Sequence, residues 1–158
     1  MTQLFIIPCG KKKIWDKEPE SGAVKAKNAY IGVLHQLCRQ YVDHFDGDWV
    51  IISGKHGLLL PNDTVPDNYD LTFRKNDPRV VSVSTLQRQF KEKHLQSYDD
   101  IIALTGKKYQ PYLEEVFVKA ERIQYPLHGA KGIGHIQKWL KNSIATNSPL
   151  HDKGIGDE

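Results

Sequence analysis

The 158-residue sequence predicts an α/β fold, a three-layer α/β/α sandwich with a four-stranded parallel sheet at its centre. Short continuous apolar runs, typical of strands that are buried on both faces, alternate along the chain with longer segments of helical periodicity. This alternation favours right-handed βαβ units, which place helices on both faces of a parallel sheet. The expected strand order is 2-1-3-4, so the first strand should lie in the interior of the sheet.

The first half of the chain contains two of the expected strands. The first is Leu4-Phe5-Ile6-Ile7, which ends at Pro8, and the second is Trp49-Val50-Ile51-Ile52. Between them, Val24 to Phe45 has apolar residues at helical spacing, which predicts one amphipathic helix. The connection 55–79 contains three prolines and no clear pattern, and a connection of that length is usually functional.

The second half alternates three further helices with two further strands. The expected helices cover 82–94, 108–119 and 132–144, and the expected strands cover 101–104 and 122–125. From Asn147 onward neither pattern continues. We therefore interpret 1–146 as a single α/β domain and 147–158 as a flexible C-terminal tail.

The composition excludes several classes of protein. With 39% hydrophobic and 26% charged residues, the chain has the balance of a globular protein rather than of a disordered or fibrous one. No apolar run approaches the roughly 20 residues of a membrane-spanning helix, and the first residues lack a secretory signal. Cys9 and Cys38 form no disulfide framework. We expect a cytoplasmic protein without a membrane partner, and nothing in the sequence indicates its oligomeric state.

Candidate functional residues follow the carboxyl ends of the strands, where open parallel sheets bind ligands. The loop after the first strand carries a thiol and three lysines, Cys9-Gly10-Lys11-Lys12-Lys13. The loop after the second strand, Ser53-Gly54-Lys55-His56-Gly57, holds a histidine suited to act as an acid or hydrogen-bond donor. The alternative for the first loop is a cysteine that caps the core, and the alternative for the second loop is a solvent-exposed turn.

Three further segments complete the candidate site. In the long connection, Tyr69 precedes Asp70 where the chain can fold back over the sheet edge, although Asp70 can equally cap a local turn. Two further segments lead into helices, namely 105–109, which begins with Thr105, and 131–134. Their glycines and lysines suit a phosphate. Since histidines, cysteines and carboxylates show no metal-ligand spacing, we expect no metal and no cofactor.

Four of these segments carry motifs that resemble a little-characterised bacterial and phage family. The motifs are Pro8-Cys9-Gly10-x-x-Lys13, Ser53-Gly54-Lys55-His56-Gly57-Leu58 with Pro61, Tyr69-Asp70 and Gly132-Ile133-Gly134. That family is similar to the uracil-DNA-glycosylase-like superfamily and to the core domain of archaeosine synthase. The resemblance covers residues 4–140, and it implies a uracil-DNA-glycosylase-like sheet and a site that handles a nucleobase. The Asp-Pro-Tyr-His and His-Pro-Ser loops of true uracil-DNA glycosylases do not occur.

The resemblance favours a metal-independent DNA glycosylase, a hydrolase that cleaves the N-glycosidic bond of a modified or damaged base. In that chemistry Asp70 faces the cationic sugar and His56 donates to the departing base, with Cys9 as a minor nucleophilic option. Lys11, Lys13 and Lys131 are expected to hold phosphates, and Tyr69 or Trp15 to stack on a flipped base. The remaining expected substrate contacts are Gly10, Ser53, Lys55, Thr105, Gly132 and Gly134.

Two alternatives remain open. One is modification of a 7-deazaguanine-type base in RNA, in which Cys9 or Lys13 attacks the base, and the other is a non-catalytic nucleic-acid-binding domain. Trp15 can also be a partly buried loop anchor. In each case the expected partner is nucleic acid, DNA being favoured over RNA, or a free nucleobase or nucleotide. The formal charge of +3 is compatible with such a partner but does not select among these functions.

Overall fold

A five-stranded sheet with helices on both faces forms the framework of the protein. The computed structural model describes residues 2–74 and 77–154. The strands are β1 (Gln3–Pro8), β2 (Val24–Lys25), β3 (Asp48–Ser53), β4 (Gly57–Leu59), β5 (Thr64–Val65), β6 (Asp100–Ala103) and β7 (Arg122–Gln124). The helices are α1 (Ile14–Lys17), α2 (Ala26–Ala29), α3 (Val33–His44), α4 (Val83–Glu92), α5 (Gln110–Val116) and α6 (Ile133–Thr146), with 3-10 turns at Leu95–Ser97 and Lys107–Tyr109.

The central sheet has the order β4-β3-β1-β6-β7. Its parallel strands β3, β1, β6 and β7 lie in the order expected from the sequence. The edge strand β4, which pairs antiparallel with β3, was not predicted, so the sheet is mixed rather than wholly parallel. Because β4 has only three residues, it has too short a pattern to be told from a loop.

The two faces of the sheet carry separate apolar cores, since successive side chains of a strand point to opposite faces. On one face Leu4 and Ile6 belong to a buried cluster that includes residues of α4 and α5. On the other face Phe5 and Ile7 belong to a cluster that includes residues of α3 and α6. Helices therefore cover both faces, as the sequence predicts.

The helix expected over Val24 to Phe45 is interrupted. Its first two residues form β2, α2 ends at Ala29, and α3 begins only at Val33. Tyr30 makes an antiparallel bridge with Lys13, and the Ile31 amide donates to the Lys12 carbonyl at 3.0 Å. These tertiary hydrogen bonds override the helical periodicity. The break brings the start of α3 against the loop that follows β1.

The long connection between β3 and α4 contains regular structure. After β4, the short strand β5 pairs antiparallel with β2 in a separate two-stranded sheet. The chain then crosses the carboxyl edge of the central sheet as residues 66–74, which we call the strap. The strap passes so close to Gly54 that a Cβ there would lie 3.3 Å from the Leu71 carbonyl oxygen. The expected helix at 82–94 is seen as α4, with the Ser82 side chain accepting from the Thr85 amide.

Part of the segment expected to be a flexible tail contacts the domain, although 147–149 are exposed. His151 is buried, and its ring centroid lies 5.0 Å from that of Phe5. The Tyr41 hydroxyl accepts from the Leu150 amide at 2.9 Å, and Asp152 pairs with Arg122 at 2.9 Å. Aromatic packing and an ion pair thus hold this segment. Because it contains few apolar residues, its sequence did not indicate these contacts. The last four residues of the expected tail, 155–158, lie outside the described residues.

No helix among residues 2–74 and 77–154 has both the length and the apolar character needed to cross a membrane.

Candidate functional site

A cleft of about 640 Å³ opens at the carboxyl ends of β1, β6 and β7. The chain leaves β1 towards β3 on one side of the sheet and later returns to β6 on the other side, so the loops after β1 and β6 diverge. Such a switch point is where open α/β sheets bind ligands. The walls of the cleft are largely apolar, with Leu34, Leu104, Leu127, Ile133 and Ile136.

A smaller pocket of about 140 Å³ adjoins the cleft, and both are lined by Gly10, Lys108 and Tyr109. The strap supplies one wall of this small pocket through Asp70 and the residues that follow it. The loop after β1 lines the same pocket with the Cys9 thiol and the amines of Lys11 and Lys13. The residues with reactive or charged groups in its walls are Cys9, Lys11, Lys13, Asp70 and Lys108.

Gly10 gives the loop after β1 its shape. Its φ of +92° lies in the left-handed region, where a residue with a side chain is strained. Just before this turn, the Cys9 amide still donates to the Ile52 carbonyl at 3.2 Å, which extends the pairing of β1 with β3. Cys9 is 8% exposed and belongs to a buried cluster while it also lines the small pocket. Cys9 can therefore cap the core and be a site residue at the same time.

Lys13 is an internal residue, not a surface cation. Its side chain is 3% exposed, its Nζ donates to the Lys11 carbonyl at 2.9 Å, and it lies 4.4 Å from the ring centroid of Tyr69. Burial lowers the pKa of Lys13, although Cys9, Asp16 and Asp70 act in the opposite direction. Lys11, in contrast, is exposed and remains a candidate phosphate contact.

Tyr69 links the strap to the turn between β3 and β4. Its hydroxyl is hydrogen-bonded to Tyr30 and, at 2.8 Å, to the buried Ser53. Ser53 Oγ in turn accepts from the amides of Lys55 and His56 at 3.3 and 3.1 Å. Burial raises the pKa of Tyr69 and raises that of Tyr30 to about 12, so both phenols are neutral at physiological pH.

His56 lies next to Tyr69 and does not line the cleft or the small pocket. Its ring meets that of Tyr69 edge-on, with the centroids 5.0 Å apart. Burial lowers its pKa, and nearby Lys55 adds to this effect against the opposing charge of Asp67. Cys9 and Asp70 thus share one pocket as expected, whereas His56 is not among the residues that line it. The exposed Lys55 has its Nζ 5.6 Å from the same tyrosine ring.

Trp15 is 6% exposed, and its indole N–H donates to the Gly22 carbonyl at 2.8 Å. It packs in the buried cluster that contains Cys9 and Tyr30. This environment fits the loop-anchor alternative and leaves little of the ring for stacking on a base. Tyr69 is only half-buried and lines a shallow opening beside Asp70, so it keeps an accessible surface.

The residues expected after β6 and β7 divide between the cleft and the surface. Thr105 and Gly132 line the cleft. Lys131 is exposed, and its amide donates to His135 Nδ1 at 3.0 Å. Gly134 lies in the first turn of α6 with open space where a side chain would be. It is not among the residues that form the cleft walls.

Sequence reasoning missed two histidines in the cleft wall, His35 and His128. His35 was hidden inside an apparently amphipathic helix, although its spacing to Cys38 and Val42 places it on the buried face. His128 directly follows the apolar Leu127 beyond β7, and its ring stacks on that of Tyr125 at 4.5 Å. Within the described ranges, no group of three or more metal-ligating side chains is assembled.

The fold and the site define an α/β protein with a partly apolar cleft and a lysine-rich opening at the carboxyl edge of its sheet. The chain belongs to a family of unknown function, DUF6884, whose family model matches residues 4–142. It is 43% identical over 150 residues to "Uncharacterized protein YfjM" of Bacillus subtilis (strain 168), an alignment that covers 95% of this chain and all of that protein. No solved structure matches the chain.

Proposed function

We propose that this protein processes a nucleobase, and specifically that it is a metal-independent DNA glycosylase acting on a modified or damaged base. The observation that carries the proposal is the adjacency of an apolar cleft and a small pocket containing Asp70, with lysines at their openings. A base has flat apolar faces that suit such a cleft, and its sugar and phosphates would then lie near the carboxylate and the lysines. The motif resemblance to uracil-DNA-glycosylase-like proteins supports the same proposal.

In the proposed reaction the bond between C1′ and the base nitrogen breaks, and water forms a new bond to C1′. The base leaves with the electron pair and takes up a proton, while the sugar passes through an oxocarbenium-like state. Asp70, at the junction of strap and small pocket, would stabilise that positive charge. The base would be met by groups of the cleft wall, among them Thr105, rather than by His56, which contacts Tyr69.

Exposed lysines would hold the nucleic-acid backbone around the two openings. Lys107 and Lys108 line the cleft, Lys11 lines the small pocket, and Lys131 is exposed next to the cleft residue Gly132. They come from the loops after β1, β6 and β7, so a strand crossing the carboxyl edge would meet several of them. Such contacts release counterions and make binding depend on salt concentration.

The test is base release from oligonucleotides that carry a panel of modified bases, detected as abasic sites. We expect Asp70→Asn to lower the rate by at least about 100-fold, because the carboxylate would act on a charge that develops in the transition state. The free energy of unfolding should change by no more than about 0.5 kcal/mol, since Asp70 is exposed. Asp67→Asn, in the same strap but outside both pockets, is the matched control. A variant that loses stability but keeps its activity per folded molecule would show that Asp70 only caps a turn.

A second candidate function is modification of a 7-deazaguanine-type base. The observation that favours it is that Cys9 and Lys13 line the same pocket, and burial lowers the pKa of the lysine, so a thiol and an amine are both at hand. The Cys9 S–H would add across the nitrile of 7-cyano-7-deazaguanine, giving a thioimidate with the mass of both reactants. We expect mass spectrometry to detect this adduct in the wild type and not in Cys9→Ser. Adduct formation without base release would replace the glycosylase proposal.

A non-catalytic nucleic-acid-binding domain is the remaining outcome of these assays. It predicts salt-sensitive binding of oligonucleotides with neither abasic sites nor an adduct.

A further inference from the structure

His35 is a buried polar residue in the wall of the cleft. It is 2% exposed and lies in the first turn of α3, directly after the break in the expected helix. Its Nδ1 is 3.0 Å from the Pro8 carbonyl oxygen at the end of β1, and its ring lies 5.4 Å from that of Tyr30. The imidazole is therefore held in place by the sheet on one side and by the Tyr69–Tyr30 cluster on the other.

The hydrogen bond to Pro8 fixes which nitrogen carries the proton. A carbonyl oxygen only accepts, so Nδ1 must donate. Burial lowers the pKa of His35 to about 4, against the effect of the Pro8 hydrogen bond, and Arg39 lowers it further. The ring is thus neutral at physiological pH, and its Nε2 is an unprotonated acceptor.

That acceptor is unsatisfied. Nε2 of His35 is buried and has no hydrogen-bond partner within the described part of the chain. Two other residues of the cleft wall share this property, through His128 Nε2 and Thr105 Oγ1. Buried polar atoms are nearly always hydrogen-bonded, and an unpaired one is costly. These three atoms, on α3 and on the loops after β6 and β7, belong to residues that line one cleft, so a polar ligand bound there could supply their missing partners.

We propose that His35 is a specificity-determining residue, whose Nε2 accepts a hydrogen bond from a ring N–H of the base bound in the cleft. The cleft would then select bases with a ring N–H on their pairing edge, such as guanine or uracil types. Adenine and cytosine types present a lone pair at the corresponding ring nitrogen, which would face the lone pair of His35. This inference rests on the proposed function, since it takes the ligand to be a base.

The first test uses nucleosides that differ only in that ring hydrogen. Guanosine is compared with 1-methylguanosine, and uridine with 3-methyluridine, by titration calorimetry. We expect the wild type to prefer at least one unmethylated nucleoside over its methylated form by roughly 10- to 100-fold, because methylation leaves the acceptor unpaired. We expect His35→Phe to bind both members of that pair nearly alike. His44→Phe, on the same helix but exposed and bonded to Asn147, should keep the wild-type preference.

A second measurement on the wild type does not depend on the folding of a variant. Nitrogen-15 NMR of the histidine rings reports which nitrogen carries the proton. We expect His35 to be protonated at Nδ1 in the free protein, and its Nε2 signal to shift when the preferred nucleoside binds but not when the methylated one is added. A proton on Nε2 in the free protein would overturn the inference.

The combined outcomes separate this inference from the proposed function. If oligonucleotides bind or lose a base while the wild type shows no preference within either pair, the inference about His35 is wrong and the proposed function stands. A preference that persists unchanged in His35→Phe leads to the same conclusion. If neither oligonucleotides nor nucleosides bind, the proposed function is wrong, and the inference about His35 is overturned with it.

Discussion

The Tyr69 hydroxyl joins parts of the site that are distant in sequence. It is hydrogen-bonded to Tyr30 and to Ser53, and its ring lies beneath the Lys13 ammonium. One side chain therefore couples the strap, the turn after β3 and the loop after β1. Since Asp70 is its neighbour in sequence, the position of the carboxylate depends on this anchor.

We expect Tyr69→Phe to lower the free energy of unfolding by about 1–2 kcal/mol. The variant keeps the ring but leaves the buried Tyr30 and Ser53 hydroxyls without this partner. Urea denaturation measures the change, and Tyr112→Phe is the control, because its ring packs on the strap residue Phe73 while its hydroxyl takes no part in the Tyr69–Tyr30–Ser53 hydrogen bonds. An effect no larger than that of the control would show that the hydrogen bonds contribute nothing measurable.

The burial of Lys13 gives a prediction about nucleic-acid binding. Lys11→Ala should reduce the slope of log affinity against log salt by about 0.7–0.9, the contribution of one phosphate contact. Lys13→Met should leave the slope unchanged, because its ammonium is occupied by the Lys11 carbonyl and the Tyr69 ring. Fluorescence anisotropy of a labelled oligonucleotide measures both slopes on the folded variants. Equal slopes for the wild type and Lys11→Ala would contradict this assignment.

Sequence reasoning placed Cys9 and Asp70 in one pocket but did not find His35. The two former residues lie on loops beyond strand ends, and parallel strands bring such loops to a common edge. His35 lies in a helix, and its role depends on where the preceding break turns that helix. The Lys13–Tyr30 bridge and the Ile31–Lys12 hydrogen bond mark this break, and long-range contacts of that kind have no signature in a local pattern.

Among the elements, the four parallel strands were the most predictable. Three of them, β1, β3 and β6, contain a run of apolar residues buried on both faces, so hydrophobicity alone marks them, whereas β7 has one apolar residue, Ile123, and is only half-buried. Strands β2, β4 and β5 have two or three residues each and are set by their partners rather than by their own composition. The strap has no repeating structure, so its path over Gly54 could not be read from the sequence.

Gly57 allows the turn between β3 and β4 to pack closely against α4. Its φ is +71°, and a Cβ there would lie 2.1 Å from Gln89 Oε1. Gln89 is needed at this place, since it accepts from the Leu58 amide and donates to the His56 carbonyl, both at 2.8 Å. The glycine thus allows α4 to bind the turn between β3 and β4.

We expect Gly57→Ala to destabilise the protein by more than about 1 kcal/mol, through backbone strain and displacement of Gln89. Gly106→Ala is the control, because its φ is −75° and its Cβ would meet open space. Thermal and urea unfolding of both variants measure the difference. A Gly57→Ala protein as stable as the control would mean that the turn rearranges freely.

Across the whole molecule, the two edges of the sheet have different chemistry. At the carboxyl edge, three buried polar atoms of the cleft wall have no hydrogen-bond partner among residues 2–74 and 77–154, whereas at the amino edge the buried Asp100 is hydrogen-bonded on both oxygens. Asp100 accepts from Arg122, Gln3 and Gln124, and Arg122 also pairs with Asp152. Burial alone would raise the pKa of Asp100, but these hydrogen bonds outweigh it and hold the pKa below its ordinary value.

We expect Arg122→Gln to lower the free energy of unfolding by about 3 kcal/mol at pH 7, because it leaves a buried carboxylate without its cation. A carboxyl with a lowered folded-state pKa stabilises the protein above its ordinary pKa of 3.8, and this contribution disappears as the pH falls through the lowered value. The difference in free energy of unfolding between Arg122→Gln and the wild type should therefore become smaller below about pH 4. Urea denaturation across pH measures it, with Arg88→Gln, from an exposed pair, as the control. A gap that stays constant with pH would exclude Asp100 as its source.

The segment that follows α6 also determines how the molecule can be oriented on a surface. Asp152 is bound to Arg122 and to Gln3, and Thr2 donates its amide to Asp99, so both ends of the described chain lie at the amino edge. A biotin or dye linker that leaves the domain at either point would hold it with the lysine-bearing openings turned away from the support. Single-molecule or biosensor experiments could then present long DNA to the free edge without steric interference from the tether.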